Sequence, residues 1–340
     1  MKQKCIVGLS GGVDSSTSAA IMKERGYEVI GCTFRMVESD GANLAIADAK
    51  RVADYLGIEH EVVDCVADFR RHVVDYFVQS YEVGVTPNPC IMCNKFLKFK
   101  YLEELKERRS ADMIATGHYA RLRKIGDKVE LLQAASLERD QSYFLYRVDG
   151  DILKHTEFPL GDYHKSHTRE LAAKFGIHVA EKSDSQDVCF IPNGDYAAFI
   201  RDHSSGVFSE GEIVNENGEV LGRHEGLVNY TVGQRKGLGL SGGPFFVKRL
   251  NVGANQVVVS DKNGVGMVKI DLKSVVFIEE PRIGDCQVKI RSTTKKIDAK
   301  IVKNSDEYSV ILAVAEYGVA GGQHCVFYDR DKVLGGGVIC

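Results

Sequence analysis

Ser10-Gly11-Gly12-Val13-Asp14-Ser15-Ser16 follows the apolar run Cys5-Ile6-Val7-Gly8-Leu9 and precedes Ser18 to Arg25, which reads as a helix closed by Gly26. Strand, glycine turn and helix together make an anion site, because backbone N–H groups converge in the turn and the helix presents its positive end. Two adjacent glycines let the backbone approach an oxygen closely. A lone Ser-Gly-Gly is equally well explained as a tight turn whose serines cap the helix. A Walker loop would end in Gly-Lys-Ser/Thr and place its lysine on the β- and γ-phosphates, and no lysine stands here. Hydroxyls and Asp14 at the helix start suit a released pyrophosphate better than a transferred γ-phosphoryl group.

Outward from this stretch the pattern alternates. Tyr27 to Phe34 reads as a strand, Ala45 to Leu56 as a helix stopped by Gly57, Glu61 to Asp64 as a strand and residues 67 to 82 as a helix. Thr86-Pro87-Asn88-Pro89 breaks the helical pattern, since two prolines remove donors and bias their predecessors to extended forms. Asn94 to Arg109 is helical again and Asp112 to Thr116 is a strand ending at Gly117-His118. This alternation predicts an α/β doubly wound parallel sheet that holds ligands at the carboxyl ends of its strands. Arg121 to Gln133 reads as a hairpin insert around Gly126-Asp127, and Gln141 to Tyr146 and His167 to Phe175 as helices. Past Ile200 helices grow scarce, and from about residue 273 clean alternation, such as Ile297, Ala299 and Ile301 against Lys296, Asp298 and Lys300, predicts a small barrel.

With 340 residues the chain is long enough for two or three domains. It lacks an 18-residue apolar run and a basic-then-apolar leader, so a soluble, cytoplasmic protein without a membrane segment is expected. The net charge of −3 excludes blanket attraction to nucleic acid but not a local basic face. Between residues 282 and 303 seven basic residues stand against Asp285 and Asp298, and between 95 and 109 six stand against three glutamates. Either run read alone is a solvated face. Nine cysteines without a secretory signal point to reduced thiols. In Asn88-Pro89-Cys90-Ile91-Met92-Cys93-Asn94 the two cysteines flank a helix start, whose dipole is expected to lower a thiol pKa. A structural pair, a zinc half-site and a reactive thiol are the competing readings. No second ligand pair follows at zinc spacing. Cys189, before Phe190-Ile191, reads by itself as core, and His118 as either a substrate contact or a loop histidine satisfying the backbone.

Seven stretches in order carry a family resemblance: SGGVDSS, TPNPCIMCNKFLKFK, ATGHYAR, RDQSYFLYR, KSDSQDVCFI, YTVGQRKGLGL and GQHCVFYD. The first resembles the signature of PP-loop ATP pyrophosphatases, and the set, spanning nearly the whole chain, resembles the tRNA-specific 2-thiouridylases. The resemblance implies a PP-loop ATPase domain over 1–203, a small, mostly-β central domain over 204–272 and a C-terminal, tRNA-contacting β-barrel over 273–340. It implies adenylation of the 2-position oxygen of a wobble uridine followed by sulfur transfer, with release of AMP and pyrophosphate. Carried onto this chain, Gly8, Leu9, Ser10, Gly11, Gly12, Val13, Asp14 and Ser15 bind ATP together with Phe34 and Gly117, with Mg²⁺ expected on the phosphates. Cys189 receives a persulfide and Cys93 is its catalytic partner. Asn88, Pro89 and Cys90 face the target base, while Arg139, Asp140, Gln141, Arg291 and Ser292 contact tRNA. Implied partners are the tRNA anticodon loop and a persulfide donor protein or cysteine desulfurase.

The chain departs from the family pattern at Cys90, where many members carry aspartate. Three thiols, Cys90, Cys93 and Cys189, open a second route to the same product, as ligands of a [4Fe–4S] cluster whose fourth iron carries sulfur. Outside this class stand a PP-loop ligase that aminates a nucleotide or other small molecule, and a tRNA-binding module with a degenerate nucleotide fold.

Overall fold

The computed structural model describes residues 2–177, 188–191, 194–204, 206 and 208–340. The stretch Lys182 to Asp187, quoted above with Cys189, lies outside the described residues. Its first sheet contains β1 (Lys4–Gly8), β2 (Glu28–Arg35), β3 (Glu59–Asp64) and β4 (Met113–Ala115). Next in the chain come the hairpin β5 (Ala120–Ile125) and β6 (Lys128–Gln133), and then β7 (Thr156–Glu157). The sheet order is β3-β2-β1-β4-β7, all pairs parallel. Strand order reverses at β1, so the turns after β1 and β4 open beside one another at the carboxyl edge, where a doubly wound sheet binds ligands.

The Val13–Glu24 helix has almost no polar face and is buried from Ser15 to Met22. Its hydroxyls can be buried because each turns back onto the preceding turn: Ser16 donates to the Gly12 carbonyl (2.8 Å), Thr17 to Val13 (2.8 Å) and Ser18 to Asp14 (2.9 Å). The amphipathic Asp40–Leu56 helix, capped by Ser39 and ended by Gly57 in the left-handed region, buries Ala49, Val52, Ala53 and Leu56 against it. These two helices lie so close at Gly11 (φ +72°) that a Cβ there would stand 2.8 Å from Asp48 Cβ and 2.9 Å from the Ala49 nitrogen.

Two local expectations are corrected. The helix expected from Asn94 starts at Pro89, with Asn88 accepting the Ile91 N–H at 3.4 Å, and runs to Arg108. Proline is favoured at a first helical position because it has no N–H to lose. Cys90 and Cys93 therefore lie within its first turns, and residues 94–98 form a wider π turn. Gln141 to Tyr146 is a single 3₁₀ turn, Ser142–Phe144, because Asp140 accepts the Ser142 N–H (3.1 Å) and hydroxyl (3.0 Å) and folds the chain back on itself.

The central unit is a four-stranded sheet of β8 (Gly211–Val214), β9 (Val220–His224), β10 (Phe246–Asn251) and β11 (Gln256–Ser260), in the order β10-β11-β8-β9. The remaining strands are β12 (Gly266–Phe277), β13 (Gly284–Lys289), β14 (Ile297–Asn304), β15 (Glu307–Tyr317), β16 (His324–Asp329) and β17 (Lys332–Ile339). They follow the order β12-β15-β14-β13-β16-β17, and pairing of β12 with β17 closes the six into a barrel. Its first strand starts at Gly266, earlier than the alternation indicated. The β5–β6 hairpin is not confined to the first domain: β6 pairs with β17 at Leu132 and Lys332 and continues the barrel's sheet. Among the described residues no helix is long and apolar enough to cross a membrane.

Candidate functional site

At the carboxyl edge of the first sheet the glycine loop is prearranged by its own hydroxyls. Ser15 Oγ donates to the Gly12 carbonyl (3.1 Å), accepts the Ser10 N–H (3.1 Å) and lies 3.0 Å from Ser10 Oγ. Leu9 and Val13 are buried and anchor the loop, while Ser10 is exposed. Gly117, at the end of β4, packs against the loop so tightly that a Cβ there would meet the Ser15 nitrogen at 2.8 Å. Phe34, at the end of β2, is partly buried where two core clusters meet. The candidate nucleotide residues are thus gathered at one end of three adjacent strands.

Asp14 does not act as a simple helix cap. Lys165 Nζ lies 2.8 Å from each of its carboxylate oxygens, and the Tyr119 hydroxyl donates to Oδ1 at 3.0 Å. The Tyr119 oxygen also lies 2.9 Å from the Thr168 hydroxyl, and Lys165 sits 5.9 Å above the Tyr119 ring. So a lysine does reach the loop, from 151 residues away in sequence. Sequence reading missed Lys165, Tyr119 and Thr168, because no local spacing relates them to Asp14.

The cysteine-bearing helix opens at the same edge. Its far end is fixed by Arg109 and Arg108 on Glu59 and Glu61 at the beginning of β3. Its first turns, with Cys90 and Cys93, therefore lie toward the carboxyl ends of the strands. The expected lowering of a thiol pKa by the helix dipole is not found at Cys93. Cys93 is 5% exposed, and burial pushes its pKa up to about 11 although the Lys98 charge opposes the rise. Desolvation of a thiolate outweighs the helix dipole here. Cys90 and Cys189 are exposed. Cys189 is placed by its neighbour Phe190, which packs edge-on to Phe69 (5.5 Å) and Phe77 (5.5 Å), and both cysteines act electrostatically on Cys93. Among the described residues no group of three or more His, Cys, Asp or Glu is arranged to hold a metal ion. Asp14 is paired to Lys165.

Beside Cys90 a cavity of about 600 Å³ is walled by all three units, with Asn88 and Phe144 from the first, Asn229 and Thr231 from a turn of the central unit and Gln323 from the loop before β16 of the barrel. Pro89 also lines it. The loop before the helix hangs on the barrel: the Thr86 N–H donates to the Gly321 carbonyl (3.0 Å), and Gln323 Nε2 donates to the carbonyls of Thr86 and Pro87 (3.3 Å each). Tyr143 is wholly buried, as a core residue, and its hydroxyl donates to the His324 carbonyl at 2.8 Å. His118 lies 2.7 Å from the Thr116 hydroxyl and stacks on Phe99 at 5.9 Å. Burial and the Lys98 charge push its pKa down to about 3, so it is neutral.

Three of the five residues assigned to direct tRNA contact also make hydrogen bonds within the protein. Asp140 is 8% exposed and bonds Gln133 Nε2 (2.8 Å) and the Ala134 N–H (3.1 Å) besides Ser142. Gln141 accepts the Tyr119 N–H at 2.9 Å. Arg291 spends its guanidinium on the Val232 carbonyl of the central unit (3.2 Å) and on the Gly318 carbonyl of the barrel. Arg139 is exposed and Ser292 is partly exposed. Cys5, Cys32, Cys65 and Cys325 are buried thiols.

Three family models match the chain in succession: a tRNA methyl transferase HUP domain over residues 3–193, a tRNA methyl transferase PRC-barrel domain over 198–261 and an aminomethyltransferase beta-barrel domain over 268–339. The tRNA-specific 2-thiouridylase MnmA of Rhodopseudomonas palustris is 42% identical over 99% of this chain and 90% of its own length. The protein of the same name from Synechocystis is 41% identical over 100% of this chain and 98% of its own. Among solved structures, the U34-tRNA thiolase NcsA of Methanococcus maripaludis, which holds a [4Fe–4S] cluster, is 20% identical with a TM-score of 0.36, over 59% of this chain and 62% of that one. At that level of likeness neither substrate nor cofactor transfers. Identity above 40% along the full length, with all three domain models in order, makes this chain a member of the tRNA-specific 2-thiouridylase family.

Proposed function

We propose that the protein is an ATP-dependent tRNA sulfurtransferase that replaces the 2-position oxygen of a wobble uridine with sulfur. The observation that carries this reading is the shared edge: the glycine loop after β1, Gly117 after β4 and the first turns of the cysteine helix all open at the carboxyl ends of one parallel sheet. Oxide is a poor leaving group, so the carbonyl oxygen must be converted to a better one. Attack of that oxygen on the α-phosphorus of ATP forms the O–P bond and releases pyrophosphate. The N–H groups of Gly11 and Gly12 and the positive end of the Val13–Glu24 helix hold the departing anion. Lys165, fixed on Asp14, adds a cation beside the loop. Mg²⁺, where it accompanies the nucleotide, is held chiefly by phosphate oxygens and water, as this ion commonly is.

Cys189, exposed on its anchored loop, accepts sulfur as a persulfide from a donor protein, and Cys93 resolves it. The single-stranded anticodon loop presents its base unstacked, and the cavity beside Cys90 takes that base with Asn88 and Pro89 on its wall. Arg139 is the exposed cation of the candidate tRNA set. The test is nucleoside mass spectrometry of unmodified tRNA incubated with the metal-chelated protein, Mg-ATP and a cysteine desulfurase system. Wild type yields 2-thiouridine and AMP. Cys189→Ser yields AMP without thiolated product. Thiolation by the serine variant would overturn the persulfide role of Cys189, and thiolation seen only after rebuilding an iron–sulfur cluster would replace the relay by the cluster route.

A further inference from the structure

The cysteine helix widens by one residue between Asn94 and Lys98, where the Phe99 N–H bonds the Asn94 carbonyl five residues back. In an unbroken α-helix Leu97 would stand one turn beyond Cys93. The inserted residue gives that position to Lys98 and turns Leu97 into the core, where it is fully buried. Lys98 itself is half-buried. Burial disfavours its charge, but Cys93, Cys189 and Cys90 lie near enough to favour the charged form, and it helps to keep His118, at the end of β4, neutral. Among the described residues no carboxylate pairs with it. Further along the helix Lys100 lies near Asp68 and Glu104, Lys106 on Glu103 and Arg108 on Glu61, while Lys95 sits 4.7 Å from the Phe96 ring centre.

We propose that Lys98 is the shared counter-ion of the sulfur relay, one fixed ammonium serving first the Cys189 persulfide anion and then the Cys93 thiolate. The proposal rests on the assignment of Cys93 and Cys189 to that relay. Two sulfur anions act in turn, and each hands its charge to a leaving group. When the Cys189 persulfide anion attacks the adenylated C2, the new C–S bond forms and AMP departs with the C–O electron pair. The Cys93 thiolate then attacks the Cys189 sulfur. The Cys93–Cys189 bond forms, the S–S bond to the transferred sulfur breaks, and the thiolated base leaves with that pair. An external dithiol supplies two electrons and two protons to reopen the disulfide. The first charge leaves with AMP, the Cys93 proton passes to solvent, and both sulfur anions, the persulfide and then the thiolate, form close to Lys98.

The test uses the intact chain and the variants Lys98→Met, Lys98→Gln and Lys98→Arg. Alkylation of Cys93 by iodoacetamide is followed peptide by peptide as a function of pH, in parallel with single-turnover thiolation of tRNA. Lys98→Met is expected to slow Cys93 alkylation near pH 8 by about tenfold, the effect of one pKa unit on the thiolate fraction, and Lys98→Arg to restore it to within about threefold. Thiolation falls in step with alkylation. If Met proves too disruptive, as judged by the melting curve, the Gln variant carries the same expectation. An unchanged pH midpoint for Cys93 in both neutral variants would overturn the proposal. Slower alkylation with wild-type thiolation would instead overturn the assignment of Cys93 to the relay.

Discussion

The two ends of the site are built on opposite principles. At the glycine loop every group is prearranged: Ser15 ties the turn, Asp14 is paired with Lys165, and Gly11 and Gly117 allow contacts that no other residue would permit. At the cysteines the resting state resists the chemistry, since burial keeps Cys93 protonated, and the opposing charge comes from a neighbouring cation. The loop only has to receive an anion that arrives already charged. In the proposed reaction the sulfur end has to create one, and protection from stray oxidation goes with the same burial that makes ionisation costly.

The largest effect that would break this contrast is a pH profile. With Cys93 pushed up to about 11, its thiolate fraction grows about tenfold per pH unit below that value. Single-turnover sulfur transfer from a preloaded persulfide, read by rapid quench and nucleoside mass spectrometry, should therefore rise about a hundredfold between roughly pH 7 and 9. AMP formation over the same range should change less than about threefold. A flat sulfur step would move the nucleophile off Cys93. The same shift acts in the other direction on stability. Its folded pKa lies above the unfolded one, so its contribution is intact below the ordinary thiol value and is lost as pH rises from there toward about 11.

A smaller effect sharpens the loop side. Gly11→Ala forces a side chain into the left-handed region, at about 1–2 kcal/mol, and against the backbone at Ala49. Its melting temperature and ATP affinity should both fall, the affinity by about tenfold or more. A Cβ on Gly12 would touch only Ser10 Oγ, at 3.6 Å, so Gly12→Ala should retain the wild-type melting temperature. Equal melting of the two variants in calorimetry would show that the tight approach at Gly11 has no bearing on folding. The smallest effect belongs to Gln323→Ala, which removes two long hydrogen bonds from the barrel to the loop before the cysteine helix. At about 0.5–1.5 kcal/mol per bond, thiolation should drop by about threefold with ATP-dependent AMP formation unchanged. Loss of both activities together would join the two ends that the contrast separates.

Much of this architecture can be read from local pattern. The βα alternation and the two glycine turns place the nucleotide residues on one edge, because strand order and crossover direction leave few alternatives. The cysteine motif is legible as a motif, but its electrostatics are not. A helix start suggests a lowered pKa, and only the packing of Phe69, Phe77, Leu97 and Phe190 around Cys93 reveals that desolvation prevails. The π turn that brings Lys98 over Cys93 leaves no mark in residue spacing, and Lys165 meets Asp14 through tertiary folding alone. Asp140 and Gln141 look like exposed polar residues of a contact loop. Their bonds within the fold run to Gln133 and Tyr119, which no periodicity points to.

The hairpin β5–β6 makes the first and last parts of the chain share one sheet, with Lys332 on Glu130 (2.8 Å) and Arg121 on Asp331 (3.0 Å) beside the Leu132–Lys332 pairing. This limits how the molecule can be divided. A catalytic half made without the barrel would keep a hairpin whose outer strand has lost its neighbour, an open edge ready to recruit other chains. Exchange of barrels between relatives would have to carry residues 120–133 along with them. The units are distinct in topology, yet one buried cluster runs from Ile6 and Ile30 through Leu131 to Val326 and Val333.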